Sequence, residues 1–356
     1  MSDLFEVKPA DTQFYQENIQ SFIPDRIIDI HTHVWLAQHR VQVADNLSGI
    51  VSWPGRVARE NPIEDLINTY HLLFPDKKVM PLIFSNVGPG DDVSAMNDYV
   101  RTAAETHHFP SLVFALPEWH AEQFEKTILQ GGYYGCKVYF SLAASYIPTQ
   151  EIRIFDFLPH HQLEVMNRHG WIAMLHIPRN NRLKDPVNLA QILEIEARYP
   201  RVKLIIAHVG RAYCPEDVGS ALEILSRTRY INFDISANCN ETVFRQLIEA
   251  IGPKRILFGS DMPILRMRTQ RICEASNYVN LVPRGLYGPV SEDKHMREVD
   301  GSEADRLTFF MYEEIDAFRR AAEASRLSSA DIEDIFHNNA KKLLNAVIKE
   351  SKREYI

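Results

Sequence analysis

Two histidines, His31 and His33, stand at the end of an apolar segment, residues 26–34 (RIIDIHTHV). Residues i and i+2 of a β-strand point to the same face, so the two imidazoles are predicted to converge on one point. Neutral imidazole nitrogens bind Zn²⁺ and related divalent cations. A third histidine and a carboxylate from other strands would complete a site with one position open for water, whose pKa the cation lowers toward ~7. Asp29 lies one step deeper on this face and is predicted to be a buried support.

Further polar residues follow other short apolar segments. They are Lys137 in GCKVY, His176 in MLHI, His208 in IIAHVG and Asp261 in LFGSDMP. A lone histidine at a strand end is more often structural than catalytic, and most of the 14 histidines fall in predicted helices or loops. The histidine pair together with His176, His208 and Asp261 is harder to attribute to chance. This set predicts a metal site.

The segments that carry these residues belong to a regular alternation of strands and helices. Eight short runs rich in Val, Ile, Leu and Phe are predicted to be parallel strands buried on both faces. They cover residues 26–34, 79–86, 111–119, 134–141, 171–178, 202–210, 230–237 and 255–263. Amphipathic stretches separate them, which predicts right-handed crossovers and most simply a closed (β/α)₈ barrel. Active sites of such barrels lie at the C-terminal ends of the strands, where the polar residues stand.

An open doubly wound sheet is the alternative fold, but no predicted strand is followed by the GxGxxG pattern typical of it. We predict one catalytic domain over residues 1–356. Within it, residues 1–25 form an N-terminal extension, residues 26–263 carry the barrel strands, and residues 303–356 form C-terminal helices. Long loops are predicted after strand one, at about residues 35–62, and after strand eight, as a loop insertion at 264–302.

The composition excludes several classes of function. The net charge is −8, and no long Lys/Arg run is present, so nucleic acid and anionic membranes are poor partners. No apolar stretch approaches the ~18 residues that a membrane helix requires. Four cysteines lie far apart without a CxxC pair, which argues against a disulfide framework and for a reducing compartment. The first residues contain no secretory h-region, so a cytoplasmic location is predicted.

The motifs DIHTHV, GCKVY, MLHI, IIAHVG and LFGSDMP, with FHNNAKKLL near the C-terminus, resemble those of the amidohydrolase superfamily. The resemblance is to the amidohydrolase-related branch, which contains lactonases and non-oxidative decarboxylases, and it spans roughly residues 26–348. It implies a distorted (β/α)₈ TIM barrel with a divalent cation at its mouth. It also implies that homo-oligomers are possible.

The resemblance implies two forms of the metal site. In the one-metal form, which we favour, His31, His33, His176 and Asp261 are the ligands, and His208 contacts the bound water or polarises the substrate carbonyl. In the two-metal form, His31, His33 and Asp261 hold one ion and His176 and His208 hold the other, bridged by a carboxylated Lys137. Zn²⁺ is the preferred ion, although imidazole and carboxylate ligands also accept Mn²⁺ and Fe²⁺.

Catalytic and substrate-binding roles follow from these positions. Asp261 is the predicted general base, and His208 and Lys137 are the other predicted catalytic residues. Arg179 and Arg211 come just after strand ends, where a guanidinium group can bind a carboxylate, and Tyr139 and Trp35 are further substrate-binding candidates. The alternative for each arginine is a structural ion pair or brace. Two arginines there favour a small acidic substrate.

Two reactions fit this site. The first is metal-dependent hydrolysis of a small, carboxylated lactone, ester or cyclic amide. The second is non-oxidative, metal-dependent decarboxylation of an aromatic or unsaturated acid. A protein that binds a metal or ligand without turnover is a weaker hypothesis, because every strand-end residue that the chemistry needs is present.

Overall fold

The computed structural model describes residues 4–41 and 53–351. Eight parallel strands form its centre, and each overlaps one of the predicted segments. They are β1 (Arg26–His33), β2 (Lys78–Phe84), β3 (Val113–Phe114), β4 (Gly135–Val138), β5 (Ile172–Leu175), β6 (Lys203–Ile206), β7 (Asn232–Asp234) and β8 (Ile256–Leu257). The strands are short and β3 to β8 are almost wholly buried, as expected for parallel strands covered on both faces.

Hydrogen bonding links neighbouring strands around the whole set. β1 pairs with β2, and β3 to β8 pair in chain order, all in parallel. Isolated bridges join the two sheets at both seams, between Ile83 and Ser111 and between Thr32 and Met262. The backbone N–H of His33 also donates to the carbonyl oxygen of Met262 at 2.9 Å. This arrangement confirms the predicted α/β fold, a distorted barrel.

Helices connect the strands and continue to the C-terminus. They are α1 (Pro9–Phe14), α2 (Trp53–Val57), α3 (Ile63–Leu73), α4 (Val93–His107), α5 (Ala121–Gly131), α6 (His160–His169), α7 (Pro186–Arg198), α8 (His208–Arg211), α9 (Ala221–Leu225), α10 (Glu241–Ile251), α11 (Gly301–Arg306), α12 (Phe310–Ala324), α13 (Ser329–Glu333) and α14 (Asn339–Ser351). A capping box begins α13, since Ser328 Oγ accepts from the Asp331 N–H. No helix within the described ranges is long and apolar enough to cross a membrane.

Helix α10 shows how the sequence determines a connecting element. The side chain of Asn240 accepts a hydrogen bond from the N–H of Val243 at 3.1 Å and so caps the first turn. Gly252, with φ +76°, ends the helix in a conformation that favours glycine. Residues at helical spacing form the buried face of the helix; they are Val243, Phe244, Leu247, Ile248 and Ile251.

Several strands end earlier than predicted because the chain leaves the extended conformation at the polar residues. His208 follows β6 with φ +57°, and Asp261 follows β8 with φ +59°. Both lie in the left-handed region, which non-glycine residues adopt rarely. The C-terminal ends of the strands are therefore turns that direct polar side chains.

The segment predicted as a loop insertion, residues 264–302, contains a small sheet. It consists of β9 (Gln270–Glu274), β10 (Asn277–Pro283) and β11 (Met296–Val299), with β10 antiparallel to β9 and parallel to β11. Ala275 and Ser276 form the turn between β9 and β10, both with positive φ. Much of the predicted loop after β1 lies outside the described residues.

One prediction about the cysteines is wrong. Cys214, in the loop after β6, forms a disulfide with Cys273 on β9. Their separation of 59 residues gave no local signal, because the pair meets only when the insertion folds back onto the barrel. Cys136 and Cys239 are free thiols.

Candidate metal centre

Strand β1 and the turn after β8 bring two histidines and a carboxylate together. His31 Nε2 lies 3.3 Å from Asp261 Oδ1, and His33 Nε2 lies 3.1 Å from the same oxygen. The backbone N–H of Asp261 donates to the His31 carbonyl at 2.8 Å, which fixes the turn against β1. The two imidazoles therefore converge on one carboxylate oxygen, as the HxH spacing predicts.

His208 completes the most compact group of ligand atoms. One atom each of His31, His208 and Asp261 lie within 4.8 Å of one another, and all three residues are buried. The ring centroids of His31 and His208 are 4.8 Å apart. Val209 and Gly210, which follow with φ +50° and +61°, form the tight turn that points His208 inward.

His176, directly after β5, and Lys137, on β4, lie beside these ligand atoms. The His176 ring lies 5.3 Å from that of His208, and its buried Nδ1 has no hydrogen-bond partner among the described residues. Lys137 is almost completely buried, with Nζ 3.5 Å from His31 Nε2. A buried polar atom without a partner is unusual in a folded protein, so His176 Nδ1 is available to a ligand.

Burial and neighbouring charges give His31, His176, His208 and Asp261 the charge states that metal ligands need. Burial, with a smaller effect of Lys137, lowers the pKa of His31 to about 3, and burial likewise lowers the pKa values of His176 and His208. Burial raises the pKa of Asp261, but His208 and His33 outweigh that effect and bring it to about 2. Burial lowers the pKa of Lys137 to about 8, against the influence of Asp261. At neutral pH the imidazoles of His31, His176 and His208 are thus neutral and Asp261 is ionised.

This donor set fits a divalent cation. Neutral imidazole nitrogens and an anionic oxygen are the ligands that Zn²⁺ and Mn²⁺ accept. His31, His33, His176, His208 and Asp261 supply four nitrogens and one carboxylate from four different strand ends. The structure therefore brings together all five residues of the predicted set.

Sequence reasoning missed Asp234, a fully buried residue at the end of β7. Its Oδ2 lies 2.9 Å from His31 Nδ1, and its Oδ1 accepts from the backbone N–H of His208 at 2.8 Å. The signal was present, because Asp234 follows the apolar run YINF as Asp261 follows its own strand. Ser236, two residues on, contacts His208 Nδ1 through its hydroxyl at 2.8 Å.

Asp29 occupies the predicted supporting position. It is fully buried below the site and accepts hydrogen bonds from Tyr70 Oη at 2.7 Å and from the Ser260 N–H at 2.9 Å. Burial raises the pKa of Asp29 to about 7. The residue connects β1 to the segment after β8.

The predicted substrate-binding residues have structural partners in this conformation. Arg211 Nη1 donates to the carbonyls of Ile177 at 3.2 Å and Pro178 at 2.8 Å, and Arg179 Nε lies 3.0 Å from Asp185 Oδ1. Both arginines therefore also fit the alternative of a brace or an ion pair.

The two aromatic candidates differ in their distance from the histidines. Trp35 is buried in a small apolar cluster and donates through Nε1 to the Arg59 carbonyl at 3.1 Å. Tyr139 packs against the His176 ring at 4.5 Å, which places it beside the candidate metal ligands. Burial raises the pKa of Tyr139 to about 12, so its phenol is neutral.

The fold and the site define a class of protein. The amidohydrolase family model matches residues 28–271, more than half of the chain. The chain therefore belongs to the amidohydrolase family, as its motifs predicted. The comparison with curated protein sequences gives no significant match.

Solved structures share the fold at low sequence identity. A dihydroxybenzoic acid decarboxylase from Polaromonas sp. JS666, with bound manganese and 2-nitroresorcinol, is 15% identical, with TM-score 0.54 and coverage of 90% of this chain and 97% of that one. A probable 2-pyrone-4,6-dicarboxylic acid hydrolase from Acinetobacter baumannii, with citric acid bound, is 15% identical, with TM-score 0.53 and coverage of 90% and 99%. An amidohydrolase from Burkholderia multivorans with bound zinc is 13% identical, with TM-score 0.53 and coverage of 90% and 99%.

Proposed function

We propose that this protein is a metal-dependent hydrolase that uses an activated water to attack the carbonyl of a small, carboxylated lactone, ester or cyclic amide. The observation that carries the proposal is the convergence of His31, His208 and Asp261 within 4.8 Å, buried at the C-terminal ends of the strands. Its structural neighbours include a probable 2-pyrone-4,6-dicarboxylic acid hydrolase and an amidohydrolase with bound zinc, which supports this class of reaction.

In this proposal His31, His33, His176 and Asp261 hold one divalent cation, most simply Zn²⁺, with Mn²⁺ and Fe²⁺ as alternatives. When bound, the cation lowers the pKa of a water and provides positive charge for an oxygen of the substrate. Asp261, ionised and beside two imidazoles, accepts the proton of the attacking water. His208 faces the same point and contacts the water or the substrate carbonyl. Burial lowers the pKa of Lys137 to about 8, so its ammonium group releases a proton more readily than that of an exposed lysine.

The substrate is proposed to be acidic. Arg211 and Arg179 lie in the segments that follow His208 and His176, so a substrate carboxylate at the mouth would meet two guanidinium groups. The probable 2-pyrone-4,6-dicarboxylic acid hydrolase, which has a similar fold, was solved with citric acid bound, and this supports an acidic ligand. Tyr139 and Trp35 would form the apolar wall beside it.

A specific observation favours decarboxylation of an aromatic acid as the second candidate. Tyr139 stacks on Phe140 with ring centroids 4.7 Å apart, and both rings pack against His176 at 4.5 and 5.5 Å. Such a wall suits a planar aromatic ring. A decarboxylase with a similar fold binds a nitrated resorcinol. In this reaction the site would hold the substrate carboxylate, and Asp261 would transfer the proton at the ring carbon.

The nature of the product distinguishes the two reactions. We would incubate the metal-loaded protein with a panel of carboxylated lactones, esters, cyclic amides and aromatic acids, and analyse products by mass spectrometry. Hydrolysis adds the mass of water, whereas decarboxylation releases CO₂. A panel in which neither change occurs for any substrate would contradict both candidates.

The variant His33→Ala tests dependence on the metal. It removes one nitrogen that faces Asp261, so we expect loss of both bound metal and turnover. His120→Ala, at an exposed position before α5, is the matched control and should keep both. Wild-type turnover by metal-free His33→Ala would rule out the metal mechanism.

A further inference from the structure

We propose that Asp234 is a positioning residue that sets the tautomer and orientation of two imidazoles of the proposed metal site at once, those of His31 and His208. This inference rests on the proposed metal site and deepens it. Asp234 acts through His31 and His208, which its carboxylate oxygens contact. No ligand role is assigned to it.

The two carboxylate oxygens of Asp234 have separate partners. Oδ2 lies 2.9 Å from His31 Nδ1, and Oδ1 accepts from the backbone N–H groups of His208 at 2.8 Å and Ser236 at 3.1 Å. The carboxylate therefore ties the side chain of β1 to the backbone of the turn after β6. All three contacts are buried, where a hydrogen bond to an ionised group is strong.

These contacts determine which imidazole nitrogen carries the proton. An ionised carboxylate only accepts hydrogen bonds, so His31 must donate through Nδ1–H, which leaves the lone pair on Nε2. Nε2 is the nitrogen that lies 3.3 Å from Asp261 Oδ1. Asp234 thus presents His31 in the form in which it can bind a metal.

Asp234 also influences the tautomer of His208, in this case through Ser236. Its Nδ1 lies 3.1 Å from the carbonyl oxygen of Ser236, and a carbonyl oxygen only accepts. The Ser236 hydroxyl contacts both His208 Nδ1 at 2.8 Å and Asp234 Oδ1. The carboxylate holds Ser236 in place through its N–H, so the tautomer of His208 depends on the same residue.

The variant Asp234→Asn changes the hydrogen-bonding partner of His31 while it keeps the size of the side chain. Asparagine keeps the size of aspartate and one accepting oxygen, which can still receive the N–H groups of His208 and Ser236. Its NH₂ group then faces His31 Nδ1, and two donors cannot face each other. We expect His31 to switch to Nε2–H, and metal affinity to fall by about 10- to 100-fold, the usual effect of removing such a partner.

Two readouts report this effect without any substrate. Long-range ¹H–¹⁵N NMR of the metal-free protein identifies the tautomer of each imidazole, and Co²⁺ titration followed by visible absorption gives affinity and ligand geometry. The control is Asp29→Asn, a buried carboxylate on β1 that accepts from Tyr70 and Ser260. It should lower thermal stability but keep the His31 tautomer.

Wild-type His31 with its proton on Nε2, or Asp234→Asn with unchanged tautomer and Co²⁺ affinity, would overturn the inference. If Asp234→Asn does not fold, the wild-type tautomers alone decide it. The result also stands apart from the proposed function. Wild-type protein with the expected tautomers but no metal binding would contradict the metal-dependent reaction and leave the positioning of His31 and His208 intact.

Discussion

Asp261 shows how one backbone position controls the chemistry at the residue scale. With φ +59°, it turns away from the line of β8 and directs its carboxylate at His31 and His33. The sequence predicts this outcome because a polar residue that ends an apolar strand must lie at the barrel mouth. The same rule applies to Asp234, whose part could have been predicted had it been applied to every strand.

The contacts of the two arginines, Arg179 and Arg211, could not be predicted from the sequence. Position after a strand end indicates which face Arg211 occupies but not what it contacts. In the structure its Nη1 binds the carbonyls of Ile177 and Pro178, which belong to the segment that follows His176 on a different strand. Such non-local partners leave no signal in the local sequence.

Arg211→Ala tests the substrate role against the structural one. If the remaining donors of the guanidinium bind a substrate carboxylate, KM for an acidic substrate should rise by about 10- to 100-fold, since a hydrogen bond to a charged group contributes about 1.5–3 kcal/mol. Steady-state kinetics with the acidic substrate and a neutral analogue measure the effect. Arg198→Ala, exposed on α7, is the control. An unchanged KM with a lowered melting temperature would make Arg211 a brace.

At the scale of elements, the insertion after β8 differs most from expectation. Apolar and polar residues do not alternate regularly along its strands, which also contain charged residues, so the sequence has no two-residue periodicity that would predict a sheet. What stabilises it is long-range contact with the barrel mouth. The Arg271 guanidinium lies over the rings of Tyr213, Tyr278 and Phe310 at 5.0, 4.5 and 4.4 Å. The disulfide between Cys214 and Cys273 lies beside this cluster.

Cys273→Ser tests how strongly the insertion is fixed to the barrel. Cross-linking across a separation of 59 residues should stabilise the protein by about 4 kcal/mol in the chain-entropy account. We expect the variant, and wild type under reductant, to unfold at lower denaturant and to be cleaved faster by protease within residues 264–302. Cys239→Ser, a free cysteine, is the control. Identical unfolding of Cys273→Ser and wild type would show that the disulfide does not form in solution.

Helix α12 contains two carboxyl groups, Glu313 and Glu314, whose raised pKa values should make the free energy of unfolding depend on pH. Burial raises the pKa of Glu313 to about 7, and burial with Asp29 raises the pKa of Glu314 well above its ordinary value. The folded state then binds more protons than the unfolded state above pH ~4.5, so stability should fall as pH rises from there through about 7.

Glu314→Gln is the variant that checks this dependence. The amide is uncharged at every pH, so the fall in melting temperature between pH 5 and 8 should become smaller. Glu323→Gln, at an exposed position on the same helix, should keep the wild-type slope. An equal pH dependence of the melting temperature in all three proteins would show that groups other than Glu314 cause it.

At the scale of the whole molecule, the alternation of strands and helices was sufficient to predict the architecture. Each of the eight strands overlaps its predicted segment, because burial on both faces requires continuous apolar runs that the sequence displays. The details of closure were not predictable. Each seam beside the β1–β2 pair has one isolated bridge, Thr32 to Met262 or Ile83 to Ser111, and a few backbone hydrogen bonds, all of which depend on the relative tilt of distant strands.

The measurement that tests the account most directly is the metal content of protein purified without chelator, by elemental analysis, with and without added bicarbonate. We predict about one divalent ion per chain in wild type, independent of bicarbonate, and loss of that ion in His33→Ala. About two ions that require bicarbonate would instead make Lys137 a carboxylated bridge and favour a two-metal hydrolase over a decarboxylase. Wild-type protein that remains without metal after incubation with Zn²⁺, Mn²⁺ and Fe²⁺ would contradict the central claim.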